Sequence, residues 1–237
     1  MTLKKTSIIL CTHNESNYVK ESILKLQKNI SNLELIIVDD NSSDGTRDVI
    51  ESINNEKKIK VIHRKKTKGL ASAFLTGLIE SSGDRIGWID TNMGELMDKF
   101  IEMNEALDSG YDIAILSRYV NGGEDNRKLF RSLCSKYFNL VCRILLGSKI
   151  KDYTSGIFLM KRKVLNEVSF LAYGHGEFFI EFIENANRKG FGIKEIPCIQ
   201  IEDDDLNESK TAKNLFHFIY LGFVYFVRIF TTIIRRN

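Results

Sequence analysis

The sequence predicts an α/β fold: a mostly parallel sheet flanked by helices, with an amphipathic helix at the C-terminal end. Short runs rich in Ile, Leu and Val recur through the first half of the chain, as in strands buried on both faces. Between them lie stretches whose apolar residues follow helical spacing. The two kinds alternate, which implies parallel strands joined by right-handed helical crossovers.

Size and composition agree with that class. A chain of 237 residues, 43% hydrophobic, can build one large α/β domain with a sizeable core. A net charge of +3 gives no general electrostatic attraction to nucleic acid. Cys11, Cys134, Cys142 and Cys198 are widely spaced, with no CxxC pair. That argues against a zinc site or a disulfide scaffold and fits a reducing cytoplasm. The first ten residues hold too brief an apolar run for a signal peptide. Only Pro197 represents proline, so proline-rich linkers are absent, and no internal repeat is visible.

The elements follow in order. A strand over 7–12 runs into the turn His13-Asn14-Glu15-Ser16 and a helix over 18–29. A second strand, 35–38, ends in Asp39-Asp40, and a helix follows over 46–53. A third strand over 59–63 precedes a helix over 70–81, with Ala71, Phe74, Leu75 and Leu78 on one face. The fourth strand, 85–89, ends in Asp90, and a helix over 96–107 leads to a strand over 113–116 ending in Ser117-Arg118. The second half is less regular: a helix over 129–146, a strand over 157–160, a helix over 177–187 stopped by Gly190, and a strand over 193–201. Pro197 places part of that last strand at a sheet edge.

The tail over 215–234 is apolar and aromatic, with Phe216, Phe218, Tyr220, Phe223, Tyr225, Phe226 and Phe230. Twenty helical residues at about 1.5 Å each could cross roughly 30 Å of hydrocarbon. His217 and Arg228 oppose a clean span, since a mid-membrane Arg costs about 2.5–3.5 kcal/mol or more. Arg235-Arg236 suit anionic headgroups. A helix lying in the membrane interface is the preferred reading; a spanning helix and a docking helix are the alternatives.

Candidate chemistry gathers at strand ends, where open parallel sheets bind ligands. Adjacent like charges at Asp39 and Asp40 repel unless something binds them, so a ligand role is expected for at least one. Asp44, before Gly45-Thr46, reads as a helix cap. Other strand ends supply Thr12 to Glu15 and Asp90-Thr91-Asn92, and a loop supplies Arg64, Lys65, Lys66 and Lys68 before Gly69. Carboxylates beside cations suit a divalent ion and the phosphates of a nucleotide diphosphate. Neither a Walker loop nor GxGxxG is present.

The series Ser7 to Glu15, Val38 to Thr46, Lys68 to Ala73, Gly83-Asp84 and Asp90-Thr91-Asn92 resembles family 2 glycosyltransferases of GT-A (Rossmann-like nucleotide-binding) fold. The later series Ser117 to Gly123, Asp152 to Gly156, Glu195-Ile196-Pro197 and Glu208-Ser209-Lys210 resembles the dolichol- and polyprenyl-phosphate mannose synthases within that family. The resemblance covers about residues 6–212 and rests on motif order and spacing. It implies a transferase domain over 1–212, with nucleotide-sugar binding over about 1–116 and the acceptor side over 117–212, followed by a membrane-associating tail over 213–237.

By position, the resemblance implies that Glu15 and Asp40 meet the nucleoside, within a nucleotide-sugar site that also includes Cys11, His13, Val38, Lys68 and Thr91. Asp90 and Asn92 would hold Mg2+ or Mn2+. Arg118 and Lys210 would meet phosphate, with Asp90 and Arg118 as the catalytic pair. Asp152, Ser155 and Gly156 would shape the acceptor side. Structural alternatives remain open: a surface ion pair for Arg118, a solvated charge for Lys210, and a backbone constraint for Gly156.

The implied partners are a nucleotide-diphosphate sugar, a polyprenyl phosphate and the cytoplasmic side of a membrane, held peripherally or monotopically, with no nucleic acid. The implied activity is inverting hexose transfer to the lipid phosphate. Transfer to a glycan or lipid-linked oligosaccharide is the nearest alternative, and a nucleotide-binding relative without turnover is another. The chain also departs from the family pattern. Cys11 and His13 stand where Pro and Tyr are usual, Asn92 replaces the second carboxylate of the metal motif, and Asp203-Asp204-Asp205 occupies a stretch where an Arg is usual.

Overall fold

The computed structural model describes residues 4–54, 59–66, 69–170, 174, 176–201 and 215–235. Strand β1 (Thr6–Thr12) is buried along its whole length. Helix α1 (Val19–Asn29) crosses to β2 (Leu33–Asp39), α2 (Thr46–Asn54) to β3 (Lys60–His63), and α3 (Leu70–Ile79) to β4 (Arg85–Asp90). β1, β2, β3 and β4 are mutually parallel where they pair. The register sets Thr12 opposite Asp39 and Cys11 opposite Asp90, so the polar strand ends reach one edge at the same level.

A 3-10 turn over Gly94–Lys99 leads into α4 (Phe100–Asp108), so the helix expected over 96–107 starts as a tighter coil. β5 (Ile113–Ser117), a short β6 (Glu124–Asn126), α5 (Leu129–Leu146), β7 (Phe158–Lys161) and α6 (Phe178–Arg188) follow. The sheet has seven strands in the order β3-β2-β1-β4-β7-β5-β8, with β8 (Ile193–Pro197) at one edge. β7 runs antiparallel to both β4 and β5, so the sheet is mostly rather than wholly parallel.

The single strand expected over 193–201 is two. The chain leaves the large sheet after Pro197, and β9 (Ile199–Ile201) pairs with β6 in a separate two-stranded ribbon. Proline has no N–H for a further rung. Its edge placement is as expected.

Side chains alternate across the sheet into two cores. Ile9, Val38, Phe74, Trp88 and Phe158 face α3, α5 and α6. Ile8, Leu10, Ile37 and Leu159 face α1, α2 and α4. α3 lies close to the sheet because of Gly77, where a Cβ would fall 2.5 Å from Ile9 Cγ2.

The last helix, α7 (Leu215–Ile234), packs on α6 and α5. Ile229 is fully buried, and Arg228 turns inward to pair with Glu181 at 2.9 Å. Glu177 lies 4.0 Å from Arg228, and Arg235 reaches Glu181 at 3.0 Å. One face of the aromatic tail is thus docked through charge, while Tyr220, Phe223, Phe226 and Phe230 face out. Among the described residues, no helix is long and apolar enough to cross a membrane.

Candidate active site

The two aspartates that end β2 have different surroundings. Asp39 is fully buried and accepts from Ser42 N–H at 3.1 Å, with His63 Nδ1 at 3.1 Å and Arg47 at 3.3 Å. Burial opposes ionisation, but these bonds hold its carboxyl below the usual range. Asp39 therefore fixes the loop. Asp40 is also buried, and its Oδ1 accepts from Arg64 Nε at 2.7 Å and its Oδ2 from Gly69 N–H at 2.9 Å. Arg64 also donates to Ser72 Oγ at 2.8 Å and to the Gly69 carbonyl at 3.1 Å. The Asp40–Arg64 pair thereby ties β2 to the start of α3.

Asp44 caps α2 through Thr46 N–H at 3.0 Å and also accepts from Ser16 N–H at 3.0 Å. The capping expectation holds, with the addition that the cap joins the β1 and β2 loops. His13 Nδ1 lies 2.9 Å from the Asp40 carbonyl. Buried Glu15 sits 3.3 Å from Thr12 Oγ1, with its backbone N–H bonded to Thr46. Burial, with Asp90 adding to it, raises the Cys11 thiol well above its ordinary value. Cys11 is therefore a protonated wall residue, with Asp90, Arg64, Glu15 and Asp40 as the charges acting on it.

At the end of β4, Thr91 is fully buried, donates to the Cys11 carbonyl at 3.1 Å, and gives its own carbonyl to Ser22 Oγ at 2.6 Å. Thr91 anchors the loop, as Val38, also fully buried, anchors the floor against α3. Asp90 and Asn92, on either side of Thr91, remain partly exposed. Asn92 opens on a cavity of about 300 Å³ shared with Tyr18, Lys25, Met93 and Ile201. One carboxylate and one amide carbonyl form a hard-oxygen pair, a donor set suited to an ion that also takes substrate phosphates.

Arg118 is 3% exposed and meets Asp152 in a fork: Nε to Oδ2 and Nη2 to Oδ1, both at 2.8 Å. Its remaining N–H groups reach Thr154 Oγ1 at 2.6 Å and Gln200 Oε1 at 3.1 Å. Burial opposes the Asp152 charge, and Arg118 outweighs it, so the carboxyl is held below its usual range. Both residues stand behind the site surface as its frame. The alternative reading of Arg118 as a surface ion-pair residue is corrected in one respect: the ion pair is there, but it is buried. Ser155 and Gly156, beside the pair, are partly exposed, and Gly156 has φ +73°, which meets the backbone-constraint reading.

Lys68, Lys210 and Asp203-Asp204-Asp205 lie outside the described residues. Sequence reasoning missed Ser22, Glu177 and Tyr225. Burial, with Glu177 and Asp90 adding to it, pushes the Tyr225 phenol well above its ordinary range, and its ring packs on Phe138 of α5. An acid just before an apolar helix, and a tyrosine among phenylalanines, were the available signals.

An α/β sheet that gathers carboxylates, an Arg-paired aspartate and a polar metal-type loop at one edge defines a GT-A glycosyltransferase. The chain belongs to glycosyl transferase family 2, whose match covers residues 7–169. It is 35% identical over 175 residues to a dolichol-phosphate mannosyltransferase of Pyrococcus furiosus, covering 72% of this chain and 50% of that one. It is 30% identical over 219 residues to a polyprenol monophosphomannose synthase of Mycolicibacterium smegmatis, covering 88% and 82%. The chain thus spans half the length of the first relative and most of the second. Among solved structures, it resembles glucosyl-3-phosphoglycerate synthase from Mycobacterium tuberculosis in complex with Mn2+, UDP and glucosyl-3-phosphoglycerate. That match has a TM-score of 0.72 and 16% identity, covering 97% of this chain and 80% of that one. The same synthase has been solved with Mg2+ and UDP.

Proposed function

We propose that this chain is an inverting glycosyltransferase that moves a hexose from a nucleotide-diphosphate sugar to a polyprenyl phosphate at a membrane surface. The observation that carries it is the meeting of the Asp40–Arg64 pair with Asp90 at one sheet edge, in a chain similar to lipid-phosphate mannose synthases. Asp40 and Glu15 flank the nucleoside, His13 holds the Asp40 backbone in place, and Lys68 and Lys210 supply charge to phosphates. Asp90 and Asn92 hold a divalent Mg2+ or Mn2+ ion. When bound, that ion offsets negative charge on the leaving nucleotide diphosphate.

In the reaction, an acceptor phosphate oxygen forms a bond to the anomeric carbon while the bond from that carbon to the nucleotide diphosphate breaks, with inversion. A phosphate monoester carries negative charge near pH 7, so no strong protein base is required. The chain's task is positioning and electrostatics. Arg118 acts through the Asp152 frame, which sets Thr154, Ser155 and Gly156 on the acceptor side.

The membrane face comprises two helices. Leu129, Leu133, Tyr137, Leu140 and Ile144 are exposed along α5, beside exposed Tyr220, Phe223, Phe226 and Phe230 of α7. α5 carries Arg131, Lys136 and Arg143 and no acid, which suits an anionic lipid surface.

A donor screen tests the reading: GDP- and UDP-sugars, with vesicles containing polyprenyl phosphate, with and without Mn2+. Sugar transfer to the lipid phosphate is expected. Transfer only to soluble glycans, or nucleotide binding without transfer, overturns it.

A further inference from the structure

The loop that carries Asp90 and Asn92 is a turn closed by its last residue. Met93 N–H donates to the Asp90 carbonyl at 3.2 Å, and Leu96 N–H donates to the Met93 carbonyl at 2.9 Å. In a four-residue turn joined in this way, Asp90 and Asn92 take the first and third positions. Thr91, at the second, is tied to Cys11 and Ser22. Met93, at the fourth, packs against the core that faces α1, α2 and α4.

Gln200 of β9 meets that fourth position. Its Nε2 lies 4.0 Å from Met93 Sδ, and its Oε1 accepts from Arg118 Nη1 at 3.1 Å. The two partners fix the orientation of the amide. A guanidinium only donates, so it takes the amide oxygen, and the NH2 group is left to face the thioether, a weak acceptor. One side chain thus touches both the Arg118–Asp152 frame and the turn at the end of β4. It also lines the same cavity as Asn92.

The backbone around Gln200 is fixed from the acceptor side. Cys198 N–H donates to the Ser117 carbonyl at 3.1 Å, and Glu124 N–H donates to the Cys198 carbonyl at 3.0 Å. In the β6–β9 ribbon Gln200 stands opposite Asp125, whose carboxylate takes Arg127 at 2.6 Å and lies 3.6 Å from Arg118. Ile199 and Ile201 on either side are about half exposed, at 49% and 50%. Alternation along β9 therefore turns the polar side chain inward and the apolar ones outward, the reverse of an ordinary surface strand.

We propose that Gln200 is a positioning residue for transfer: by joining Arg118 to Met93, it holds the Asp90–Met93 turn in the shape that presents Asp90 and Asn92 to the metal ion and the nucleotide diphosphate. This rests on the transferase reading above. Residues that orient metal ligands from behind commonly change metal affinity by about tenfold or more when removed. Gln200 acts one residue away from Asn92 and through a weak acceptor, so a smaller effect is expected.

The full chain and its Gln200→Leu, Met93→Leu and doubly substituted variants are titrated with UDP and with GDP, in the presence and absence of Mn2+. Thermal unfolding verifies folding. Gln200→Leu keeps apolar bulk and removes both polar contacts, whereas Met93→Leu removes only the sulfur. Gln200→Leu is expected to weaken nucleotide binding about threefold to tenfold with Mn2+ present and less than about twofold without it. Met93→Leu should act in the same direction, and the double variant should be no weaker than Gln200→Leu alone, because the two residues act through one contact. A merely structural role would weaken binding equally in both conditions. That equal loss, undiminished Mn2+-dependent binding by a folded Gln200→Leu protein, strictly additive effects in the double variant, or wild-type binding indifferent to Mn2+ would each overturn the proposal. Binding alone decides Gln200, so a wild-type chain that binds nucleotide with Mn2+ but transfers no sugar to polyprenyl phosphate overturns the transferase reading instead.

Discussion

Arg118 and Asp152 meet in a two-pronged pair inside the protein, with both side-chain contacts at 2.8 Å and both residues almost wholly buried. Such a pair adds little net stability over an apolar substitute, but losing one partner strands the other charge. Asp152→Ala should therefore cost about 3–5 kcal/mol in urea unfolding. Arg118→Met with Asp152→Leu should recover much of that loss. A single-variant cost below about 1 kcal/mol would show that the guanidinium finds water or another partner.

Much of this frame was legible beforehand, and the rest was not, for physical reasons. The run Leu35 to Val38 ending in Asp39-Asp40 announces a buried strand and a polar strand end, because burial on both faces leaves a continuous apolar run. The same logic places Asp90 at the end of β4. Reversal of β7 is not written in Phe158 to Lys161, since strand direction depends on distant partners. β6 is Glu124-Asp125-Asn126, with no apolar alternation to reveal it. The engagement of Asp40 with Arg64 and Gly69 is likewise a matter of loop closure, invisible to spacing. On α5 the helical stripe was clear, but its exposed side was not. Cys142 and Asn139 face inward while Leu133 and Ile144 face out, the reverse of a solvent-exposed helix.

The loop after β4 gives a second test. Thr91 is buried and tied by Cys11 and Ser22, whereas Asp90 and Asn92 on either side of it are partly exposed. Asp90→Ala should lower kcat by about a hundredfold to a thousandfold or more, as for loss of a main electrostatic group, with little change in melting temperature. Asn92→Asp adds a charge and should tighten Mn2+ binding, read by the metal concentration giving half-maximal transfer. Full turnover by the alanine variant would remove Asp90 from the site.

A pH prediction comes from the opposite end of the sheet. Glu34 accepts from Lys5 at 2.6 Å, Ser7 at 2.5 Å and the Ser82 N–H at 2.7 Å. Burial opposes ionisation, but these bonds lower its pKa from 4.5 to about 2. A lowered folded-state value means that the unfolded chain binds the proton more readily. The stabilisation is thus complete above about pH 4.5 and is lost as pH falls toward about 2. Glu34→Gln should be less stable at pH 7 by about 1 kcal/mol or more, from the lost charge-assisted bonds. Its unfolding free energy should also change less between pH 4.5 and 2. Parallel pH profiles for the two proteins would refute the assignment.

The outward faces of α5 and α7 make the last prediction. Leu133 is 55% exposed and Phe223 64% exposed, on separate helices whose inner sides are joined by Phe138 and Tyr225. If both faces enter lipid, each side chain contributes about 1.5–3 kcal/mol on burial. Leu133→Glu and Phe223→Glu should therefore each weaken sedimentation with anionic phospholipid vesicles by about tenfold or more. Neither residue lies at the reacting edge, so transfer to a short, water-soluble prenyl phosphate should be unchanged in both. Raised salt should weaken wild-type binding as well, because Lys136 and Arg143 of α5 would meet lipid phosphates. If only the α7 variant lost vesicle binding, the membrane face would be the tail alone. If neither did, the two apolar faces would have to be covered by something other than lipid.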